Sequence, residues 1–290
     1  MNKKISLKTK LFNTLRTLFK NQLAERIIRK ITNGSSAGSF LSKIPANNYQ
    51  YSSPTIRKVN IEGLNFELDI SDYMEWLLYF GIRAEPREKL YELVRDKKII
   101  FDIGANFGET ALFFAKYAPS DAKIYVFEPE SFCFRKLVHN LSLNAYNNIF
   151  AFNFGFGNEN GKFYLASDTA NNRGGNRIQL EANMPANIEI KRIDDFVEQE
   201  KIEKVDFIKI DVEGFEYHVL KGGENVIRRD KPTLFVEVND KNLKAQKSSA
   251  VELISFLEKY YSHIYAAQDN RPITSKTNFE GLHFDVIAIT

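Results

Sequence analysis

The chain has 290 residues, 43% of them hydrophobic, enough for one large α/β core with an N-terminal extension rather than for two independent domains. Its 40 basic and 37 acidic side chains balance to +3, yet residues 1–32 hold nine Lys/Arg against Glu25 alone, so the remainder carries 31 basic and 36 acidic groups. A body of net negative charge excludes a polyanion-binding surface and with it nucleic acid as a partner, and the single cysteine, Cys133, excludes an internal disulfide or a zinc cluster.

In the first 32 residues Leu11, Leu15, Leu18, Phe19, Leu23, Ile27 and Ile31 recur every three to four positions, with Lys8, Lys10, Arg16, Lys20, Arg26 and Arg29 between them. This predicts a basic amphipathic helix. Its apolar stripe is expected to dock on the body of the protein or on a second copy, with an anionic membrane surface as the alternative. The basic residues interrupt each apolar run before it reaches the length of a signal peptide or a span, so the expected location is cytoplasmic, with peripheral attachment at the inner membrane surface if the helix binds lipid. The small polar run at residues 33–39 predicts a helix stop and a flexible linker. The expected organisation is helix and linker over 1–40, a lead-in over 41–96 and the principal domain over 97–290.

The lead-in predicts two strands, near 58–61 and 65–70. Beyond them Tyr73, Glu75, Trp76 and Tyr79 stand at helical spacing, which favours core packing over an aromatic wall for a sugar ring. From residue 99 short apolar runs alternate with helix-period segments. Strands are predicted at 99–103, 123–127, 149–154, 207–211, 233–238, 263–267 and 284–289, with helices at 109–117, 132–143, 216–228 and 251–260. Between the third and fourth strands a glycine-punctuated stretch carries hairpin-like strands at 162–166 and 187–192. The pattern is a doubly wound, Rossmann-like α/β sheet with a β-hairpin insert and an N-terminal helical extension.

The first strand of this series ends Phe101-Asp102-Ile103-Gly104-Ala105-Asn106-Phe107-Gly108, directly before a helix. Gly104 permits a sharp turn, Gly108 lets a ligand approach the helix start, and the free amides around Asn106 attract a carboxylate or phosphate. Asp102 is placed to accept from a ligand ammonium or from the loop. Spacing of Gly104-x-x-x-Gly108 lacks the middle glycine of the dinucleotide fingerprint, which disfavours the rival reading of an NAD(P)-linked sugar oxidoreductase. Glu128 ends the next strand 26 residues after Asp102, where an acid accepts from both hydroxyls of a ribose. A turn for an amino-acid moiety and an acid for a ribose together describe S-adenosylmethionine.

A second cluster, Asp211, Glu213 and Glu216, ends the strand Ile208-Lys209-Ile210. Asp211 faces the same crevice as Asp102 and is placed to hold the cofactor's methionine end or to orient an acceptor hydroxyl. Glu213 is the first choice of general base, with His218 as the alternative. Glu216 either joins them or caps the following helix. Asp211 with Glu237, Asn239 and Asp240 has poor spacing for a divalent ion, and no metal is expected. His139, His263 and His283 have no ligand spacing and read as surface or packing residues. The donor-rich loop from Asn171 to Arg177 is a candidate wall of the acceptor site.

Taken together, Glu85-Pro86, Asp102 to Gly108, Phe127-Glu128-Pro129, Asn140 to Asn144, Ile208 to Gly214, Leu220-Lys221-Gly222 and Pro232 to Val238 resemble the FkbM-type methyltransferases over roughly residues 85–238. That resemblance implies a class I methyltransferase fold, S-adenosylmethionine as cofactor, and methyl transfer, in many members to a sugar or polyketide hydroxyl. By match to the motifs it implies Asp102, Gly104 and Glu128 as cofactor contacts, and Asp211 and Glu213 as cofactor or acceptor groups. Gly223 stands where the family often has another small residue, and residues 1–55 and 240–290 lie outside the resemblance. The expectation is an O-methyltransferase for a glycan, sugar precursor or similar small molecule. A cofactor-binding assembly partner that has lost turnover is the other rival.

Overall fold

The computed structural model describes residues 13–83, 87–166, 175–179 and 184–290. Lys8, Lys10 and Leu11, the Glu85-Pro86 pair and Asn171 to Gly174 lie outside them. The described residues fall into two compact units, 13–83 and the remainder.

In the first unit the long amphipathic helix is two helices. Residues 13–17 form one; Asn21 then turns extended, its side chain accepting from the Ala24 amide at 3.0 Å, and starts α1 (Gln22–Thr32). An Asn satisfies orphan amides as an N-cap better than it continues a helix, which is why the break falls there. The face that α1 buries is Glu25, Ile28 and Thr32, and the Leu23, Ile27, Ile31 stripe is exposed, the reverse of docking the stripe on the body. Glu25 tolerates complete burial because Arg57, on β1 (Ile56–Ile61), donates to both its oxygens at 2.7 and 3.0 Å. β1 returns through Glu62-Gly63, both at positive φ, into antiparallel β2 (Leu64–Asp69). Asp72 caps α2 (Tyr73–Phe80), where Trp76 and Tyr79 are core residues and Tyr73 remains exposed. The 33–39 run is not a free linker: Gly34 donates to the Gly81 carbonyl, Ala37 to that of Arg83, and Arg83 to that of Ser35, so its backbone is paired where flexibility was expected.

The second unit begins with α3 (Arg87–Glu92) and then alternates: β3 (Ile99–Ile103), α4 (Glu109–Tyr117), β4 (Lys123–Phe127), α5 (Ser131–Ser142), β5 (Ile149–Phe152). The insert is a separate sheet rather than a hairpin: β6 (Gly155–Phe156), β7 (Gly161–Ala166), β8 (Arg177–Gln179) and β9 (Ile188–Lys191) run in the order β6-β9-β7-β8. After α6 (Ile193–Gln199) come β10 (Phe207–Ile210), α7 (Glu216–Gly222), α8 (Glu224–Asp230), β11 (Thr233–Asn239), α9 (Asp240–Ala245), α10 (Ala250–Glu258), β12 (His263–Ala266) and β13 (His283–Ile289). The helix expected over 216–228 breaks at Gly222-Gly223. A Cβ on Gly222 would lie 1.9 Å from the Gly157 carbonyl, so this backbone-to-backbone approach needs a glycine, and the glycine pair is a poor helix interior.

The main sheet has the order β12-β13-β11-β10-β3-β4-β5, parallel except for β13, which pairs antiparallel with both β11 and β12. The chain winds outward from β3 to β5 and crosses back to β10 on the other side of β3. The carboxyl ends of β3 and β10 therefore flank a topological switch point, where open α/β sheets bind ligands. Beneath it Phe127 packs against Phe156 at 4.5 Å and Phe196 at 5.1 Å between ring centroids, an aromatic core that ties the insert and α6 to the sheet.

Candidate active site

β3 is apolar and buried through Ile103, and it delivers Asp102 with no exposed surface. The turn that follows has three left-handed residues, Gly104 (φ +83), Asn106 (φ 48) and Gly108 (φ 90), the last being the N-cap of α4. Gly104 and Ala105 donate to the Phe127 carbonyl, which ties the turn to the end of β4. Glu128 completes the tie: one oxygen accepts from the Asn106 amide and the other from the Glu130 amide, each at 2.9 Å. Burial nonetheless pushes its carboxyl up to about 7, against the pull of those two amides. Asn140 donates to the Phe107 carbonyl at 2.9 Å and Asn153 to that of Glu128 at 2.8 Å, so both brace the same loops.

Lys209 is the residue that sequence reasoning passed over. Its ammonium lies 3.4 Å from Asp102, 3.3 Å from Asp211 and 3.1 Å from the Gly104 carbonyl. The pairing follows from two periodicities: Lys209 sits opposite Asp102 in the β10–β3 register, and Lys209 and Asp211 are two apart and share a side. The cation that Asp102 faces is therefore internal. Burial raises the Asp102 carboxyl while Lys209 pulls it down, and neither of its oxygens has a hydrogen-bond partner among the described residues. Of the two carboxylates on Lys209, Asp211 is the one open to the crevice, its side chain 36% exposed.

Beyond Asp211 the backbone turns left-handed at Glu213 (φ 54) and Gly214 (φ 104). Glu216 shapes this turn, accepting from the amides of Val212 at 3.1 Å and Gly214 at 2.9 Å; it is a buried turn-holder, and burial raises its carboxyl. Glu213 points elsewhere, accepting from Asn242 at 3.0 Å with Arg177 of β8 at 3.6 Å. Burial, then the charges of Glu237 and Asp211, push it up to about 8. Glu237 pairs with His283 at 2.6 Å, and that hydrogen bond raises the imidazole to about 9. His283 is thus a surface residue, as one of the two expected readings had it, and it also carries an ion pair. It reaches Glu237 because β13 runs antiparallel beside β11, a pairing with no local signature.

His218 stands apart from these carboxylates in its bonding: Nε2 donates to the Gln246 carbonyl at 2.8 Å and the ring stacks on Phe215 at 4.4 Å. Asn239 caps α9 through the Asn242 amide, and Asp240 holds Lys244 at 2.6 Å and the Ala250 amide at 2.9 Å. Among the described residues no group of three His, Cys, Asp or Glu is arranged to hold a metal.

The raised groups make a pH prediction. Glu128 and Glu213 move from the 4.5 of a free carboxyl to about 7 and 8, and His283 from 6.5 to about 9, so each binds its proton more tightly in the folded chain. Their contribution to stability is full below the unfolded values and is lost as pH rises through about 7 to 9. Stability from urea melts is expected to fall between about pH 6 and pH 9, by about 1.4 kcal/mol per pH unit at most for each of the buried Glu128 and Glu213 and by less for His283, whose charge solvent screens, and Glu213→Gln is expected to shallow the slope. Equal midpoints across that range would show that these groups titrate normally.

Residues 102–264 match the methyltransferase FkbM domain family, more than half of the chain. The chain belongs to this family. The FkbM match takes in the β3 turn, Glu128, Lys209, Asp211, Glu213 and Glu237, and leaves out the first unit and His283. Among curated relatives, the hexuronic acid methyltransferase AglP of Haloferax volcanii is 28% identical over 141 residues, 48% of this chain and 55% of the relative. The methyltransferase sdnD of Sordaria araneosa is 28% identical over 160 residues, 42% of this chain and 59% of the relative. The chain thus spans just over half the length of the curated relatives it matches. Among solved structures, an FkbM methyltransferase from Methylobacillus flagellatus is 17% identical, covering 75% of this chain and 55% of that one, with a TM-score of 0.43. A putative methyltransferase from Streptococcus mutans, solved in complex with SAH, is 13% identical, covering 72% and 99%, with a TM-score of 0.42.

Proposed function

We propose that this FkbM-family chain is an S-adenosylmethionine-dependent methyltransferase that methylates a hydroxyl of a glycan or sugar-derived acceptor. The observation that carries it is the arrangement at one switch point of a left-handed turn at a helix start, a ribose-type acid on the adjacent strand and a base-type carboxylate on the other side. The residues fit the cofactor. Gly104, Ala105, Asn106 and Gly108 already donate within the turn, which leaves the Phe107 amide, beside the start of α4, for a carboxylate; Asp211 is a part-exposed acid for an ammonium, and among the described residues each Glu128 oxygen accepts one amide, keeping a lone pair for a ribose hydroxyl. The cofactor, when bound, supplies a methyl group activated on a sulfonium. What remains for the chain is to hold the acceptor in line and take its proton. Glu213 is the base we assign: it follows Asp211 by two residues, and its carboxylate, raised to about 8 by burial, is a stronger base than a free one. A sugar-derived acceptor is supported by the name of the AglP relative, a hexuronic acid methyltransferase.

Titration calorimetry with S-adenosylmethionine, S-adenosylhomocysteine and NAD tests the reading. Micromolar binding of the first two is expected, weakened about tenfold to a hundredfold in Glu128→Ala by loss of hydrogen bonds to a charged group, with no heat from NAD. Binding of NAD alone would replace the methyltransferase with the oxidoreductase.

A further inference from the structure

We infer that the N-terminal helices seat the protein on an anionic phospholipid surface, a property separate from the crevice chemistry. Among the described residues of the two helices and the turn between them, six large apolar side chains are open to solvent: Leu15 (50%), Leu18 (72%), Phe19 (42%), Leu23 (71%), Ile27 (56%) and Ile31 (48%). On α1 the last three are four residues apart, so they stack into one stripe running about 12 Å along the axis. The helix is not free to roll this stripe inward. Its opposite face is fixed by Glu25 on Arg57 and by the Thr32 hydroxyl on the Phe80 carbonyl at 2.6 Å, and turning α1 would strand that buried acid.

Charge selects the occupant. Exposed Arg26 and Lys30 border the stripe, and the sole acid of residues 1–32, Glu25, is already neutralised by Arg57. Residues 1–12 add four lysines in sequence. An apolar stripe edged by cations matches the headgroup and acyl boundary of an anionic leaflet, whereas two copies packed stripe to stripe would bring like charges together. Among the described residues no helix is long and apolar enough to cross a membrane, and α1, with 11 residues, suits shallow insertion along the surface.

The test is co-sedimentation of the full chain with vesicles of phosphatidylcholine alone or mixed equally with phosphatidylglycerol. Binding is expected to the mixed vesicles only, to be released by high salt, and to weaken at least about tenfold in Leu23→Ser/Ile27→Ser/Ile31→Ser and again in Arg26→Glu/Lys30→Glu. Both sets of side chains face solvent, so thermal melts should match the parent. The charge-reversal pair keeps the test alive if the triple variant misfolds. Failure of the parent to bind mixed vesicles, undiminished binding by both variants, or a dimer in solution that the triple variant dissociates without any vesicle binding would each overturn the inference.

Discussion

Gly104→Ala is expected to destabilise the fold by about 3 kcal/mol or more and to abolish cofactor binding. At φ +83 a Cβ is strained before any neighbour is considered, which accounts for about 1 kcal/mol. The larger effect is contact: that Cβ would lie 1.9 Å from the Asp211 carbonyl oxygen and 3.0 Å from its carbon. Both are backbone, so no rotamer relieves the clash, and the ends of β3 and β10 must separate. Separation would break the bond from the Asp211 amide to the Ile103 carbonyl and pull the Gly104 carbonyl from Lys209. Gly281→Ala is the internal control, because its φ is +69 with nothing within 4 Å of the added Cβ. Urea unfolding should show a loss of about 1 kcal/mol for the control and the larger loss for Gly104→Ala. If the two variants were equally stable and both bound S-adenosylmethionine, the close approach of the two strand ends would not be what shapes the crevice.

The elements nearest this contact were the most legible in the sequence. β3, α4 and β4 have the bounds their patterns predict, because a strand buried on both faces is a continuous apolar run and a helix on a parallel sheet has a strong period. What the sequence hid was partnership across distance. The Ile193, Phe196, Val197 spacing was a helix signal, but α6 is only seven residues long and lies beside strands that read as a hairpin. The four-stranded insert needed the β6–β9 pairing, which joins segments over thirty residues apart. Glu25 reads as an exposed break in an apolar helix, and only Arg57 on β1 makes it the buried anchor. Likewise Glu237 and His283 meet only because β13 is antiparallel within a parallel sheet. Candidate site residues separated along the same line. Asp102, Gly104, Asn106, Gly108 and Glu128 belong to two adjoining turns and could be grouped by strand ends, while the cation between Asp102 and Asp211 required the β3–β10 register.

That cation yields the second large expected effect. Lys209→Met keeps the length and the apolar stem of the side chain but removes the charge shared by Asp102 and Asp211, and it is expected to cost about 3–5 kcal/mol at neutral pH. Most of this loss belongs to Asp102, because Asp211 is part-exposed and can be met by water, whereas Asp102 has no exposed surface and no other cation within ion-pair distance among the described residues. Desolvation already raises the Asp102 carboxyl, and without Lys209 it rises further. A group whose folded-state pKa is raised stabilises below its unfolded pKa and ceases to as pH climbs through the folded one, so the variant should approach the parent in acid and fall away from it toward neutrality. Adding Asp102→Asn removes the stranded charge, and the double variant should recover a large part of the loss, an interaction energy that a cycle of urea melts reads directly. A loss below about 1 kcal/mol at neutral pH, or a double variant no more stable than Lys209→Met, would mean that Asp102 is held by something other than this lysine. The same cycle followed by calorimetry separates two jobs of the residue. If Lys209 serves only to make the burial of Asp102 tolerable, the double variant will bind S-adenosylmethionine as the parent does; if it also sets the direction of Asp211 and the Gly104 carbonyl, binding will stay weak after stability has returned.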